Sequence, residues 1–228
     1  MITGAIFDMD GVLIDSMPVW ENIDGIYLRG QGKEPEPGLT EILFTKTMHE
    51  AAEYMRETYQ IPKTAEKITD EIIDLVRCCY REEIPAKAGA LPFVRKLKEA
   101  GVHIAVATAS DRELAEAALL RLGILEHVEG IFTCKDAGAG KETSPAVYLQ
   151  ALRSMGTEPA GTWVFEDVLH GIRTAKKAGF QTAGVYDASS EAHQELIQKE
   201  ASMYLRDLTG FDAFYESAMT FGGILTIE

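Results

Sequence analysis

The chain has 228 residues, 46% hydrophobic and 25% charged, which suits an ordinary globule of one domain or a domain with an insertion. A formal net charge of -14 leaves no basic stripe to displace the counterions of nucleic acid, and no apolar run approaches the roughly 20 residues that cross a bilayer. Three cysteines, Cys78, Cys79 and Cys134, are an odd number with two adjacent, which fits neither a disulfide framework nor a zinc spacing. Reduced thiols, a cytoplasmic location, a monomer, and no nucleic-acid or membrane partner are therefore expected. The N-terminus also lacks the basic flank and cleavage site of a secretory signal.

In chain order, "AIF" at 5–7 reads as a short buried strand that runs into Asp8. Residues 17–85 are strand-poor, with "LTEILFTKTMHEAAEYMRETY" and "AEKITDEIIDLVRCCYREE" as helical stretches separated by "QIPKT", and "GQGKEPEPG" at 30–38 as a polar loop. Beyond them, helical periodicity covers 90–100, 111–122, 145–155 and 169–178, with Gly101, Gly123, Gly156 and Gly179 placed to end these helices. Apolar runs at 102–110, 130–134, 162–167 and 182–187 read as strands. Such alternation predicts an α/β fold, a doubly wound parallel sheet covered by helices on both faces. The region 17–85 is read as a helical insertion that leaves the core near Asp15 and rejoins it near "IPAKAG". The core is then 1–16 with 86–228.

Ligands of such sheets bind at the carboxyl ends of the strands, so the polar residues there carry the functional reading. Asp8 and Asp10 are two apart, and on an extended backbone both carboxylates face one way, roughly 7 Å apart. Gly11 relieves the turn that follows. Repulsion between the two acids calls for a shared proton, a bound cation, or separation by the turn. Taken alone, an Asp-x-Asp could be only a solvated acidic turn. Other strand ends weaken that reading. "VATAS" places the Thr108 hydroxyl after a strand, with Ala109 and Ser110 opening the next helix and offering free amides to an anion. "VFED" adds Glu166 and Asp167, and "GAGKETSP" adds Lys141. Four acids, one hydroxyl and one amine suit phosphoryl transfer from a small phosphate ester through an aspartyl phosphate, with Mg²⁺ as the cation that lets an acidic chain accept an anion.

The four segments together resemble the motifs of the haloacid dehalogenase superfamily, in particular its β-phosphoglucomutase-like phosphatases. "FDMDGVLIDS" is similar to the first motif, "VATAS" to the second, Lys141 to the third and "FEDVLHGIRTAKKAGF" to the fourth. The resemblance implies a core of that family's type with a helical cap at 17–85. It implies that Asp8 is the nucleophile and a metal ligand. Asp10 would be the general acid and base and lend its backbone carbonyl to the metal. Thr108, Ala109, Ser110 and Lys141 would bind the phosphoryl group, and Glu166 and Asp167 would complete the Mg²⁺ site, Glu166 either directly or through hydrogen bonds. The family's dehalogenases lack the second aspartate, which argues against dehalogenation here.

The pattern also departs from the family. Lys141 is followed by "ETSPAVY" rather than the usual Lys-Pro-x-Pro-Asp, and Lys135 is an alternative lysine. The mutase's contacts to a distal phosphate find only Lys46, His49 or Arg112 as substitutes, each read rather as a solvated surface residue, and Asp111 would oppose them. His170 reads as a surface or supporting residue at a helix start. Trp163 reads as packing; Trp20 reads as packing or as a substrate contact. The expected function is a Mg²⁺-dependent phosphatase of a small phosphorylated metabolite such as a sugar phosphate. The alternatives are a phosphosugar mutase and a noncatalytic phosphate-binding regulator.

Overall fold

The computed structural model describes residues 1–44 and 46–220. Its sheet contains β1 (Gly4–Phe7), β2 (His103–Thr108), β3 (Ile131–Thr133), β4 (Thr162–Glu166), β5 (Gln181–Val185) and β6 (Met203–Leu205). All pairings are parallel, in the order β3-β2-β1-β4-β5-β6. The helices are α1 (Met17–Gly30), α2 (Leu39–Phe44), α3 (Met48–Thr58), α4 (Ala65–Glu82), α5 (Ala90–Glu99), α6 (Arg112–Arg121), α7 (Cys134–Ala137), α8 (Ala146–Met155), α9 (Leu169–Lys177), α10 (Gln194–Glu200) and α11 (Phe211–Thr220). The chain forms two compact units, Met1–Asp15 with everything from Pro85 onward, and Ser16–Ile84.

In the α/β unit the period-2 alternation of the strands sorts side chains between two layers. Ile6 and Val164 pack with Ala105, Ala107 and the α8 residues Val147, Tyr148, Ala151 and Leu152. Their neighbours point the other way. Phe7 stacks on Phe165 with ring centroids 4.2 Å apart, and both meet Phe93 of α5 edge-on. Phe214 of α11 extends this cluster to Trp163, which is fully buried as packing. Because β1 is central and the chain winds outward from it in both directions, the β2, β1 and β4 ends lie side by side where the strand order reverses. The outgoing and returning crossings are bonded together: Asp15 N–H donates to the Pro85 carbonyl at 2.9 Å, and Ile14 bridges to Ala86.

The helical unit owes its stability to amphipathic α4, which buries Ile68, Ile72, Val76, Cys79 and Tyr80 along one stripe. The stretch 39–59, read from the sequence as one helix, is two. Thr47 is extended, its hydroxyl accepts from Glu50 N–H at 3.3 Å, and Glu50 accepts from Thr47 N–H at 2.8 Å. This capping box starts a new helix at Met48. Thr45, between the two, lies outside the described residues. Further elements not read individually from the sequence are α1, α7, β6, α10 and α11. After "VATAS" the helix begins at Arg112, with Asp111 as its N-cap, so Ala109 and Ser110 do not open it.

Candidate active site

The end of β1 delivers Asp8 between its neighbours. Its N–H donates to the Phe165 carbonyl of β4 at 2.9 Å, which fixes the backbone. Its carboxylate shares the parity of Ile6 and so faces the α8 side of the sheet. Glu166 shares the parity of Val164 and faces the same way. Into this space reaches Lys141, from the loop between α7 and α8. Its Nζ lies 2.7 Å from Asp8 Oδ1 and 2.8 Å from Glu166 Oε1. Asp8 Oδ1 also accepts from Met9 N–H at 2.7 Å.

Asp167 completes the group. Asp8, Glu166 and Asp167 are all buried and offer carboxylate oxygens that lie within 4.8 Å of one another. Asp10, two residues along, is half-buried and its carboxylate is not part of that trio. Its Oδ2 instead accepts from the Ser110 hydroxyl at 2.7 Å, which ties the first loop to the second. Gly11 makes the turn at φ +76°, and a Cβ there would sit 2.5 Å from Asp167 Oδ2. Any other residue would both strain the backbone and strike the carboxylate.

Three buried acids around one ammonium leave an excess of negative charge. Burial, then the Glu166 charge, pushes the Asp8 carboxyl up to about 8 despite Lys141. Burial and the neighbouring charges of Asp8 and Glu166 raise Asp167 well above the usual carboxylate range. Burial alone would lower Lys141, but the attraction of Asp8 and Glu166 outweighs it and holds the ammonium charged. Two buried oxygens, Glu166 Oε2 and Asp167 Oδ1, find no hydrogen-bond partner among the described residues. A buried, all-oxygen, partner-seeking acidic set fits a hard divalent cation such as Mg²⁺, whose charge would remove the repulsion and satisfy both orphans.

Thr108 is buried at the end of β2, and its Oγ1 accepts from Ser110 N–H at 3.0 Å. The hydroxyl proton is left to donate elsewhere. The Ser110 amide is therefore engaged rather than free, contrary to the sequence reading, while Ala109 is exposed on the turn. Lys135, the alternative lysine, is on the surface with its side chain 81% exposed, paired to Asp111 at 3.3 Å. Arg112 pairs with Asp136 at 2.8 Å, also at the surface, and His170 is exposed on α9. In the helical unit, Lys46 and His49 are exposed. Trp20 is partly exposed, donates to the Tyr80 hydroxyl at 2.9 Å and lines a cavity of about 230 Å³ with Ile23, Asp24, Leu43 and Met48.

Two residues of the site were not read from the sequence. Tyr148 of α8 donates its hydroxyl to Glu166 Oε1 at 2.7 Å. Gly171 of α9 lies against the same side chain, where a Cβ would be 2.6 Å from Glu166 Cδ.

The pattern of the haloacid dehalogenase-like hydrolases matches residues 2–179. The chain belongs to that family. Validoxylamine A 7'-phosphate phosphatase of Streptomyces hygroscopicus subsp. limoneus is 30% identical over 209 residues, 90% of this chain and 93% of that one. The fructose-1-phosphate phosphatase YqaB of Escherichia coli is 27% identical over 188 residues, 80% and 95% of the two chains. In fold, the chain is similar to the crystal structure of a Thermotoga maritima protein described as a candidate β-phosphoglucomutase. That match has a TM-score of 0.83 at 22% identity and covers 94% of this chain and 99% of the other. The family assignment makes this chain a hydrolase, with the family's β-phosphoglucomutase-like fold.

Proposed function

We propose that the chain is a Mg²⁺-dependent phosphatase of a small phosphorylated metabolite, a sugar phosphate, working through an aspartyl phosphate on Asp8. The observation that carries this reading is the buried trio of Asp8, Glu166 and Asp167 around Lys141, with two carboxylate oxygens left without partners among the described residues. The names of the relatives, both phosphatases and one of a sugar phosphate, agree with it.

The carboxylates of Asp8, Glu166 and Asp167, with the backbone carbonyl of Asp10, would hold the metal. When bound it supplies charge neutralisation to the acids and to the substrate's phosphoryl oxygens. Asp8 Oδ1 is held by Lys141 and Met9, which leaves Oδ2 to attack phosphorus. As that bond forms, the phosphorus–oxygen bond to the sugar breaks, and Asp10 gives its proton to the departing alkoxide. Asp10, now ionised, takes a proton from water as the water oxygen attacks the same phosphorus, and the bond to Asp8 breaks to release phosphate. Ser110 keeps the Asp10 carboxylate oriented through both steps. The Thr108 hydroxyl and the Lys141 ammonium donate to the transferring oxygens, where charge builds up.

The test is phosphate release from a panel of sugar phosphates and an aryl phosphate, with Mg²⁺ and with excess chelator. Release from at least one sugar phosphate that stops on chelation is expected. Full release in chelator would sink the metal-dependent reading. Conversion of β-glucose 1-phosphate, primed by a bisphosphate, to glucose 6-phosphate without free phosphate would replace the hydrolase by a mutase.

A further inference from the structure

Glu166 is bonded in a lopsided way. One of its oxygens, Oε1, accepts two strong hydrogen bonds, from Lys141 Nζ at 2.8 Å and from the Tyr148 hydroxyl at 2.7 Å. The other, Oε2, is buried and accepts none among the described residues. Another buried acid of this unit shows the opposite pattern. Asp187 accepts from Lys87 on Oδ2 and from the Ser189 amide and hydroxyl on Oδ1, so that both oxygens are covered. Leaving a buried carboxylate oxygen bare costs its full desolvation. A second donor spent on an oxygen that already has one does nothing to relieve that cost.

We infer that Tyr148 is a positioning residue for the cation site: by sharing Oε1 with Lys141 it fixes the Glu166 carboxylate so that Oε2 is kept for the metal. The inference rests on the metal-dependent reading above. The geometry that supports it comes from three elements. Lys141 holds Oε1 from the loop before α8, and Tyr148 holds it from α8 itself, where the residue is fully buried among Val147, Ala151 and Phe180. From α9, Gly171 presses on the carboxylate closely enough to leave no room for a Cβ. The ring of Tyr148 also lies under the Lys141 ammonium, 5.8 Å from its centroid, so one side chain steadies both the acid and its cation. Groups that orient a metal ligand through a hydrogen bond are worth about 10- to 100-fold in metal affinity.

The test is Mg²⁺ titration of the chelator-stripped protein by calorimetry, in the wild type, Tyr148→Phe, Glu166→Gln and the double variant, with the metal-free melt recorded for each. Tyr148→Phe should melt cooperatively and bind Mg²⁺ about 10- to 100-fold more weakly than the wild type. In the Glu166→Gln background it should weaken binding no further, because its effect runs through Glu166. Gly171→Ala, which displaces the same carboxylate while keeping the hydroxyl, should also weaken binding. It carries the test if Tyr148→Phe does not fold. Tyr148→Phe binding within about twofold of the wild type, or a full loss added on top of Glu166→Gln, overturns the inference. So does unchanged binding by Gly171→Ala where Tyr148→Phe does not fold. No uptake by the wild type overturns the metal-dependent reading instead, and the inference with it.

Discussion

Lys141 and Lys87 lie in the same α/β unit and make ion pairs of the same length, 2.7 Å, yet their acids are in opposite conditions. Asp187, beside Lys87, would be raised by its burial. The lysine and two bonds from Ser189 outweigh that and hold its carboxyl below the usual range. Asp8, beside Lys141, is pushed up to about 8 by burial and by Glu166. The Lys87 pair is balanced and saturated, so it needs nothing further. The Lys141 group has more negative charge than it can settle, and two of its oxygens have no donor among the described residues. A structural ion pair and a site waiting for a ligand are told apart by this bookkeeping of charge and lone pairs, not by distance.

The comparison can be broken most forcefully at Asp8. Asp8→Asn removes the proposed nucleophile, and phosphate release should fall by about 10⁴-fold or more while the protein stays folded. Mass spectrometry after acid quench of the wild type should place the phosphoryl adduct on Asp8. An adduct on another residue would refute that assignment. Next comes Asp10→Asn, expected to slow turnover by about 10²- to 10⁴-fold, with the larger loss on sugar phosphates, whose alkoxides need a proton, than on aryl phosphates. Equal losses on both substrates would show that Asp10 is not the acid.

On the structural side, Lys87→Met strands the buried Asp187 and should lower unfolding stability by about 3 kcal/mol in a urea titration, while turnover persists where the variant is folded. The smallest effect is in acid. Asp187 has a lowered folded-state pKa, so its contribution is present above the unfolded value of about 3.9 and is lost as pH falls through the lower folded value. The stabilities of the wild type and Lys87→Met should therefore converge below about pH 4. A constant gap throughout would mean that the pair adds nothing that depends on the ionisation of Asp187.

The sheet was legible in the sequence because the runs behind β1, β2 and β4 are apolar and end in polar residues, with 130–134 and 182–187 as further apolar runs. β6 was not, since Met203–Leu205 is three residues long and only partly buried. The break between α2 and α3 was written in "TMHE", a Thr-x-x-Glu cap, but the periodicity on either side masked it. In the site, Asp8, Thr108, Glu166 and Asp167 were readable because parallel strands gather their carboxyl ends, and Lys141 because it follows the glycine-rich loop "GAGK" ahead of a helix. Tyr148 and Gly171 were not. Each sits on the inner face of a helix, where a tyrosine or a glycine in the pattern looks like packing, and what it touches depends on how α8 and α9 lie on the sheet. The Ser110 hydroxyl was missed for a related reason: its partner, Asp10, is distant in sequence and met only through the side-by-side strand ends.

The bond from Asp15 to Pro85 and the bridge from Ile14 to Ala86 bear on how this architecture can vary. They staple the chain where it exits and re-enters, so the α/β unit closes on itself whatever lies between. The entropy of holding those two points together grows only slowly with the length of the intervening chain, by about 0.6 kcal/mol for each doubling. Changes in the length of residues 16–84 should therefore cost the α/β unit little in closure entropy, since the two crossing points are already joined within it.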